Sequence, residues 1–249
     1  MINIFLLGHN GDLGSYLVKH LEVDTVLQNK KYNYFINCAS KTSLEFCEEN
    51  PTISKSSNLD VLCETHKLIP EAKIITFSSY YVYNDNGFCS EEASTTDRYQ
   101  YTKHKLLGET YATRHGGVVF RLGKLFGNPH SSQNRLTEAL LETSSITLDE
   151  VSFNPTSVRQ VLDVVKHELR EGCLEGIYNL SNKGHSTHAE YGTFVNEYRK
   201  IPMAISIISR LPRQFHNYGK FLMDTSKLEK DIKLRPWKED LQEYIKCIV

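Results

Sequence analysis

This sequence of 249 residues lacks several features that would each indicate a particular class of function. Its six cysteines include no Cys-x2-Cys pair and no spacing suited to a zinc site, which indicates reduced thiols. The apolar start at residues 2–7 is too short to span a membrane, and glycines follow it where a signal peptide would have its cleavage site. A formal net charge of -1 offers no basic surface to nucleic acid. We therefore expect a cytoplasmic protein with neither a membrane nor a nucleic-acid partner.

A glycine-rich loop follows the first apolar run. Gly8, Gly11 and Gly14 lie between a predicted strand and a helical pattern, the context in which Gly-x2-Gly-x2-Gly spacing indicates dinucleotide binding. Glycines let the backbone approach a pyrophosphate, and the following helix offers free N–H groups at its positive end. A plain tight turn is the alternative. The other residues of the loop that we expect to contact a cofactor are Asn10, Asp12 and Leu13.

Apolar runs alternate with helical patterns through the first half of the chain. The runs at 34–39, 73–77 and 118–122 predict strands, and the patterns at 51–68 and 98–115 predict helices. Such alternation is typical of an α/β fold with a doubly wound parallel sheet, whose ligand lies at the carboxyl ends of the strands.

The second half of the chain is less regular. Helices are predicted near 134–141, 157–171, 189–199 and 238–248, and strands at 146–148 and 177–180. We expect residues 1–125 to form a dinucleotide-binding and catalytic domain. Residues 126–249 are expected to form a small substrate-binding lobe, interleaved with the last strands and helices of the sheet domain.

The predicted helix at 98–115 contains the spacing Tyr-x3-Lys twice, as Tyr99/Lys103 and as Tyr101/Lys105. Residues four apart share one face of a helix, where the ammonium group can lower the pKa of the phenol. A phenol tuned in this way can transfer a proton to or from a carbonyl oxygen. The spacing alone does not choose between the pairs, and it leaves open an ordinary surface helix.

Taken together, the motifs and their order resemble the extended short-chain dehydrogenase/reductase superfamily, and its dTDP-4-dehydrorhamnose reductase branch in particular. The resemblance runs nearly end to end. Besides the glycine loop, it is carried by Ile36-Asn37-Cys38-Ala39, Asn58, residues 78–83 and 101–109, Asn154-Pro155-Thr156, residues 176–180 and 224–228, and Pro236-Trp237. A Rossmann-type sheet is the fold that this resemblance implies.

The resemblance also implies catalytic roles. It aligns Leu106-Leu107-Gly108-Glu109 directly after Lys105, which favours the Tyr101/Lys105 pair. Tyr101 would be the general acid, Lys105 would lower its pKa and bind the nicotinamide ribose, and Ser79 would orient the reacting oxygen. Ser78 is the alternative to Ser79. Cys38 and Ala39 would contact the cofactor at the end of their strand.

The activity implied by the resemblance is that of an NAD(P)-dependent reductase. The enzyme would use NADP(H) or NAD(H) to reduce the keto group of a nucleotide-activated deoxysugar by hydride transfer. The resemblance also allows a homodimer. Two alternatives remain: a nucleotide-sugar epimerase or dehydratase of the same superfamily, and a non-catalytic nucleotide-sensing or regulatory member with a truncated cofactor site.

The interval between the glycine loop and the Asn37 strand departs from the family pattern. Only residues 23–33 remain between the first helix and the next buried strand, enough for a short strand at 24–27 and a turn. At least one strand and one helix are therefore expected to be missing from the side that binds adenosine. Asp24 is a weak candidate for the adenosine ribose, and Lys30 and Lys31 for a 2′-phosphate.

Other departures concern the substrate. Tyr80 replaces an acidic residue of the family beside the serine, and Lys124 replaces Trp, so a phosphate or carboxylate on a different sugar nucleotide is expected. Arg213 is the candidate for the substrate diphosphate, because a guanidinium binds such groups bidentately. His185 and His188 are interpreted as surface residues, and no metal is expected.

Overall fold

Strands and helices alternate along the chain in the computed structural model, which describes residues 2–84, 87–129, 136–211 and 221–249. The strands are β1 (Ile4–Leu7), β2 (Tyr34–Asn37), β3 (Lys73–Ser79), β4 (Gly87–Cys89), β5 (Val118–Leu122), β6 (Lys124–Phe126), β7 (Ser145–Asp149), β8 (Ser152–Phe153), β9 (Pro155–Ser157), β10 (Gly176–Leu180), β11 (Ser186–Thr187), β12 (Ala204–Ile208) and β13 (Phe221–Met223). The α-helices are α1 (Asp12–His20), α2 (Leu44–Glu49), α3 (Pro51–Lys55), α4 (Val61–Leu68), α5 (Gln100–Arg114), α6 (Leu136–Glu142), α7 (Val158–Glu171), α8 (His188–Asn196) and α9 (Trp237–Ile248). Single turns of 3₁₀-helix cover Tyr80–Val82 and Leu228–Lys230.

A parallel sheet in the order β1-β2-β3-β5-β10 forms the centre of the molecule. Its apolar runs are buried on both faces, because helices cover both. Alternate side chains such as Ile36 and Ile75 face α1 and α7, whereas Phe35 and Ile74 face α4 and α5. The predicted Rossmann-type, doubly wound α/β fold is confirmed.

The sheet is cut short beside β1, as the short interval predicted. Between α1 and β2 the chain makes one isolated parallel bridge, Phe5 to Asp24, with hydrogen bonds of 2.9 Å from Leu6 N to Asp24 O and from Asp24 N to Ile4 O. The expected strand at 24–27 does not form. The Asp24 carboxylate instead accepts from Lys30 Nζ at 2.7 Å and from Tyr32 Oη at 2.8 Å, which turns the chain back towards β2.

The predicted helix at 51–68 is interrupted, and α2 before it was not predicted. A π-turn at Ser56–Asp60 separates α3 from α4. Its Asn58 is buried, and the Asn58 amide bonds the chain after β2: Oδ1 accepts from Ser40 Oγ at 2.6 Å and from Lys41 N at 3.1 Å. The wider turn places this amide where it ties the helix to the strand end.

Helix α5 ends where its glycines predicted. Gly116 has a φ of +67°, and Gly117 N donates to Ala112 O at 2.9 Å, which caps the last turn. One face of α5 packs on β3, and this face buries Tyr101, Lys105 and Glu109. The helix therefore carries its polar side chains to the end of the sheet.

The remainder of the chain both completes the sheet and builds a second core. Strand β10 is the far edge of the sheet, and α7 packs beside α1. A separate cluster gathers Phe126, Phe153, Tyr191 and Trp237, the last two stacked with centroids 5.6 Å apart. Across the residues that the structure describes, no helix has the length and apolar character needed to cross a membrane.

Candidate active site

A cavity of about 310 Å³ opens at the carboxyl ends of β2, β3 and β5. This is where ligands bind in open α/β sheets. Most of the residues predicted from the sequence line it: Gly11, Asp12, Leu13, Cys38, Ala39, Ser79, Tyr80, Tyr101, Lys105 and Lys124. Gly8, Asn10 and Gly14 belong to the same loop but do not line the cavity.

The glycine loop is packed too tightly for side chains at two positions. Gly8 has a φ of +85°, and a Cβ there would lie 2.4 Å from Ala39 N. A Cβ on Gly14 would lie 2.1 Å from Gly8 O. Both glycines thus let α1 begin directly against β1 and the end of β2. Gly11 caps α1 without a side-chain hydrogen bond, and the N-terminus of a helix is a position at which anions bind.

Replacing Gly14 by Ala is expected to destabilise the protein by about 1–3 kcal/mol, because the new methyl group meets a backbone oxygen that cannot move alone. Gly11→Ala is the matched control, since its Cβ would lie 3.3 Å from the same oxygen. Urea unfolding of both variants measures the difference. Equal stabilities would contradict the close approach of α1 to the loop.

Tyr101 and Ser79 meet inside the cavity. The Tyr101 side chain is 4% exposed and lines the cavity beside Ser79 and Ser40. Burial raises the pKa of the Tyr101 phenol, and the neighbouring hydroxyl groups of the two serines oppose that rise only in part. The phenol is therefore protonated at neutral pH and is placed to donate a proton.

Lys105 lies one turn further along α5, with its ammonium group inside the molecule. Its Nζ donates to Phe77 O at 2.9 Å and lies 5.8 Å from the centroid of the Tyr101 ring. Burial lowers the pKa of Lys105 to about 8, against the charge of Glu109, which raises it. The expected lowering of the Tyr101 pKa by Lys105 is not found, because burial dominates at the phenol and the ammonium faces a backbone carbonyl.

Lys105→Met is expected to raise the free energy of unfolding by about 3 kcal/mol at pH 7. A folded-state pKa of about 8 against the usual 10.5 means that the folded protein holds this proton less well than the unfolded chain. The cost is fully present below pH 8 and is relieved as pH rises towards 10.5, so the advantage of the variant should shrink above pH 8.

The exposed Lys103 gives a matched control for that measurement, because Lys103→Met removes a charge from the same helix without emptying a buried site. Unfolding curves at pH 7 and pH 10 compare the variants. A stability difference between Lys105→Met and the wild-type protein that stays constant over this interval would contradict a depressed pKa for Lys105.

The structure distinguishes between the alternatives for the serine and for the Tyr-x3-Lys pair that the sequence left open. Ser78 points away from the phenol and donates to Glu109 Oε1 at 2.5 Å. Lys103 is exposed, and the Tyr99/Lys103 pair lies outside the cavity. The geometry thus favours Ser79, Tyr101 and Lys105 as one set.

Tyr80 and Lys124, which the sequence predicts to contact the substrate, both line the cavity. The Tyr80 ring stacks on Tyr81 with centroids 4.4 Å apart. The Nζ atom of Lys124 lies 3.4 Å from His188 Nε2, and His188 Nδ1 lies 2.6 Å from Asp149 Oδ1. Arg213, predicted to bind a diphosphate, lies outside the described residues.

Three residues of this region were not assigned to the site from the sequence. Ser40 follows the end of β2, so the rule that ligands lie at strand ends contained the signal for it. His188 is buried, contrary to its interpretation as a surface residue, and Asp149 contacts it from a strand in another part of the chain. In the described parts of the chain, no group of His, Cys, Asp or Glu side chains is placed to bind a metal.

The residues proposed for the adenosine end do not line the cavity. Asp24 is held by Lys30 and Tyr32, and Lys31 lies in the exposed turn beside them. None of these charged side chains is among the described residues around the cavity. The cavity is thus lined by the residues predicted for catalysis and not by those predicted for adenosine.

The sequence matches a known protein family. A family model described as the RmlD substrate binding domain matches residues 15–249, nearly the whole chain. A comparison with curated proteins finds no significant match.

Solved structures with the same fold include two dTDP-4-dehydrorhamnose reductases. The protein from Clostridium acetobutylicum is 20% identical, with a TM-score of 0.86 over 99% of both chains. The protein from Bacillus anthracis, solved in complex with NADP, is 18% identical, with a TM-score of 0.86 over 100% of both chains. A UDP-glucose 4-epimerase from Thermotoga maritima, solved with UDP-glucose, is 15% identical, with a TM-score of 0.79 over 98% of both chains.

Proposed function

Because this chain belongs to the RmlD substrate-binding domain family, we propose that it is an NAD(P)-dependent oxidoreductase of the extended short-chain dehydrogenase type. Its substrate is the keto group of a nucleotide-activated deoxysugar, and its cofactor is NADP(H) or NAD(H). The observation that carries the proposal is the meeting of Ser79, Tyr101 and Lys105 in one cavity beside the glycine loop. The family relationship and the fold shared with NADP-bound reductases support it.

Tyr101 is the proton donor in this proposal. Its phenol is protonated at neutral pH, because burial raises its pKa, and the Ser79 hydroxyl lies against it. A substrate carbonyl oxygen accepting from both hydroxyl groups would receive the phenolic proton as it gains negative charge. Ser40 lies beside the same phenol at the strand end, and its own hydroxyl donates to Asn58 Oδ1 at 2.6 Å.

The cofactor loop fits a dinucleotide. Gly8 and Gly14 leave no room for a Cβ, and the first turn of α1 faces the cavity at Gly11, Asp12 and Leu13. Cys38 and Ala39 form the wall opposite, and Lys105 lies where it could bond a ribose. When bound, the nicotinamide supplies the hydride.

Calorimetric titration with NADPH and NADH, followed by NADPH oxidation with 4-keto nucleotide sugars, tests the proposal. We expect at least one cofactor to bind and to be oxidised only when a keto sugar is present. Release of cofactor from the denatured, freshly purified protein would instead indicate an epimerase or dehydratase that recycles its cofactor. Failure of both cofactors to bind would favour a non-catalytic, nucleotide-sensing member, consistent with the truncated sheet edge.

A further inference from the structure

Ser40 lies on the cavity wall between two parts of the candidate site. It directly follows Ala39, whose amide nitrogen would lie 2.4 Å from a Cβ on Gly8, so this end of β2 adjoins the glycine loop. Ser40 also lies beside the Tyr101 phenol. The wall from Ala39 to Tyr101 therefore leads from the loop that fits a pyrophosphate to the residues beside the reacting group.

The side-chain amide of Asn58 fixes the direction of the hydrogen bond that Ser40 makes. Asn58 Oδ1 accepts from Lys41 N at 3.1 Å, and Asn58 Nδ2 donates to Lys41 O at 3.1 Å. Because a backbone N–H only donates and a backbone carbonyl only accepts, these two contacts identify the oxygen of the amide. The Ser40 hydroxyl lies 2.6 Å from that oxygen and therefore donates its proton to it.

The bond to Asn58 decides which kind of partner Ser40 can offer to a ligand. A serine hydroxyl has one proton and two lone pairs, and the Ser40 proton is directed at Asn58 Oδ1. Towards the cavity, Ser40 Oγ is therefore an acceptor, and its partner has to be a donor. Asn58 is 3% exposed and lies in the π-turn between α3 and α4, so the protein sets this orientation without a ligand.

Lys105 contributes a group of the opposite kind to the same cavity. Its ammonium group is a donor, with one contact to Phe77 O at 2.9 Å. An acceptor and a donor in one cavity suit a ligand group that has hydroxyl groups, because each hydroxyl both donates and accepts. A carbonyl or an ionised phosphate, which only accepts, has no hydrogen to give to Ser40.

We propose that Ser40 binds the nicotinamide ribose of the cofactor by accepting a hydrogen bond from one of its hydroxyl groups. In a nicotinamide dinucleotide this ribose joins the pyrophosphate to the nicotinamide. It is therefore the part of the ligand that fits the wall from Ala39 to Tyr101. The inference rests on the proposed function, because it takes NADP(H) or NAD(H) as the ligand of the cavity.

Ser40→Ala is expected to weaken the binding of NADPH and of NADH by the same factor, roughly five- to fiftyfold, because a ribose hydroxyl loses its acceptor. The factor is the same for both cofactors, since the 2′-phosphate that distinguishes them is on the adenosine ribose. Calorimetric titration measures both affinities. A loss for only one of the two cofactors would place Ser40 at the adenosine end and overturn the proposal.

Ser43→Ala is the matched control for these titrations. Ser43 lies in the same loop, but its hydroxyl accepts from Phe46 N at 3.2 Å as the cap of α2, and it is not among the residues that line the cavity. The control variant should bind both cofactors as the wild-type protein does. Equal affinities of Ser40→Ala and Ser43→Ala would overturn the proposal.

Analogues of NADH that are changed at the nicotinamide ribose test the contact itself. The 2′-hydroxyl or the 3′-hydroxyl of this ribose is replaced by hydrogen, and each analogue is titrated into the wild-type protein and Ser40→Ala. If Ser40 accepts from one of these hydroxyls, Ser40→Ala weakens NADH but not the analogue that lacks that hydroxyl. An equal loss with NADH and with both analogues would show that Ser40 acts through the shape of the cavity, and would overturn the contact.

Fluorine in place of the same hydroxyl tests the direction of the hydrogen bond. A C–F group cannot donate, so Ser40→Ala should leave the affinity for the fluoro analogue unchanged. If Ser40→Ala weakened the fluoro analogue as much as it weakens NADH, Ser40 would be a donor to the ligand. That result would overturn the acceptor role that the bond to Asn58 gives to Ser40.

These measurements separate this inference from the proposed function. A protein that binds NADPH or NADH, and whose Ser40→Ala variant binds them equally well, would overturn the ribose contact alone. A protein that binds neither cofactor would contradict the proposed function and this inference with it. If Ser40→Ala weakened only the binding of a nucleotide sugar such as UDP-glucose, Ser40 would bind the substrate, and its assignment to the cofactor would be overturned.

Discussion

Tyr101→Phe is expected to lower kcat for reduction of the keto sugar by about 10²- to 10⁴-fold, the usual contribution of a general acid. The variant keeps the ring, which is packed with Leu44 and Cys47, and removes only the hydroxyl beside Ser79 and Ser40. Fold and cofactor affinity should therefore be nearly unchanged. Steady-state NADPH oxidation measures kcat, and calorimetry with NADPH checks that the site is intact.

Tyr99→Phe is the matched control for this prediction. The substitution is the same, two residues earlier in the sequence, but Tyr99 precedes α5 and lies outside the cavity. It should retain the activity of the wild-type protein. Equal kcat values for Tyr101→Phe and Tyr99→Phe would remove Tyr101 from the catalytic step and would reopen the choice between the two Tyr-x3-Lys pairs.

The catalytic end of the cavity could be predicted from the sequence because its parts are local. Gly8, Gly11 and Gly14 are placed by the strand–turn–helix order, and Ser79 is placed by the end of β3. A spacing of four residues puts Tyr101 and Lys105 on one face of α5 whatever the rest of the chain does. These local rules supplied the candidates. The choice of Tyr101/Lys105 over Tyr99/Lys103, and of Ser79 over Ser78, came from the resemblance to the reductase family.

The electrostatics of the site could not be predicted in this way, because they depend on burial. The spacing of Tyr101 and Lys105 indicated a phenol whose pKa is lowered by an ammonium group. The folded chain buries both groups, which raises the pKa of Tyr101 and lowers that of Lys105. Desolvation is a property of the whole fold and leaves no local signal in the sequence.

The contacts of His188 were missed for a related reason. Its partners Asp149 and Lys124 are 39 and 64 residues away, so no spacing rule connects them. The shortened sheet edge, by contrast, was predicted correctly, because chain length sets a hard limit on how many elements fit between α1 and β2. The structure differs from this prediction in one respect: Asp24 makes a single β-bridge where a short strand was expected.

Arg121→Met is expected to cost about 3–5 kcal/mol of stability, since it leaves a buried carboxylate without its partner. Arg121 and Glu109 are 3% and 4% exposed, and their two contacts are 3.0 Å from Nε to Oε1 and 2.7 Å from Nη2 to Oε2. The guanidinium also donates to Glu91 O at 3.0 Å and covers the Tyr83 ring. The pair thus ties α5 to β5 beneath the cavity.

The consequence should reach the active site through Ser78. This serine donates to Glu109 and directly precedes Ser79, so the ion pair holds the strand end that presents the Ser79 hydroxyl to Tyr101. Urea unfolding of Arg121→Met measures the stability loss. Arg159→Met is the matched control, because Arg159 makes an exposed pair with Glu243, and such pairs contribute about 0–1 kcal/mol.

The double variant Glu109→Leu/Arg121→Met decides whether the loss comes from the stranded charge or from lost packing. With both charges gone, there is no longer a free-energy cost for burying an unpaired carboxylate. The double variant should therefore be more stable than Arg121→Met alone. If the double variant is instead less stable than Arg121→Met by the same amount that Glu109→Leu alone loses, the two side chains act independently. In that event the link from α5 to Ser79 would have to run through packing rather than through the ion pair.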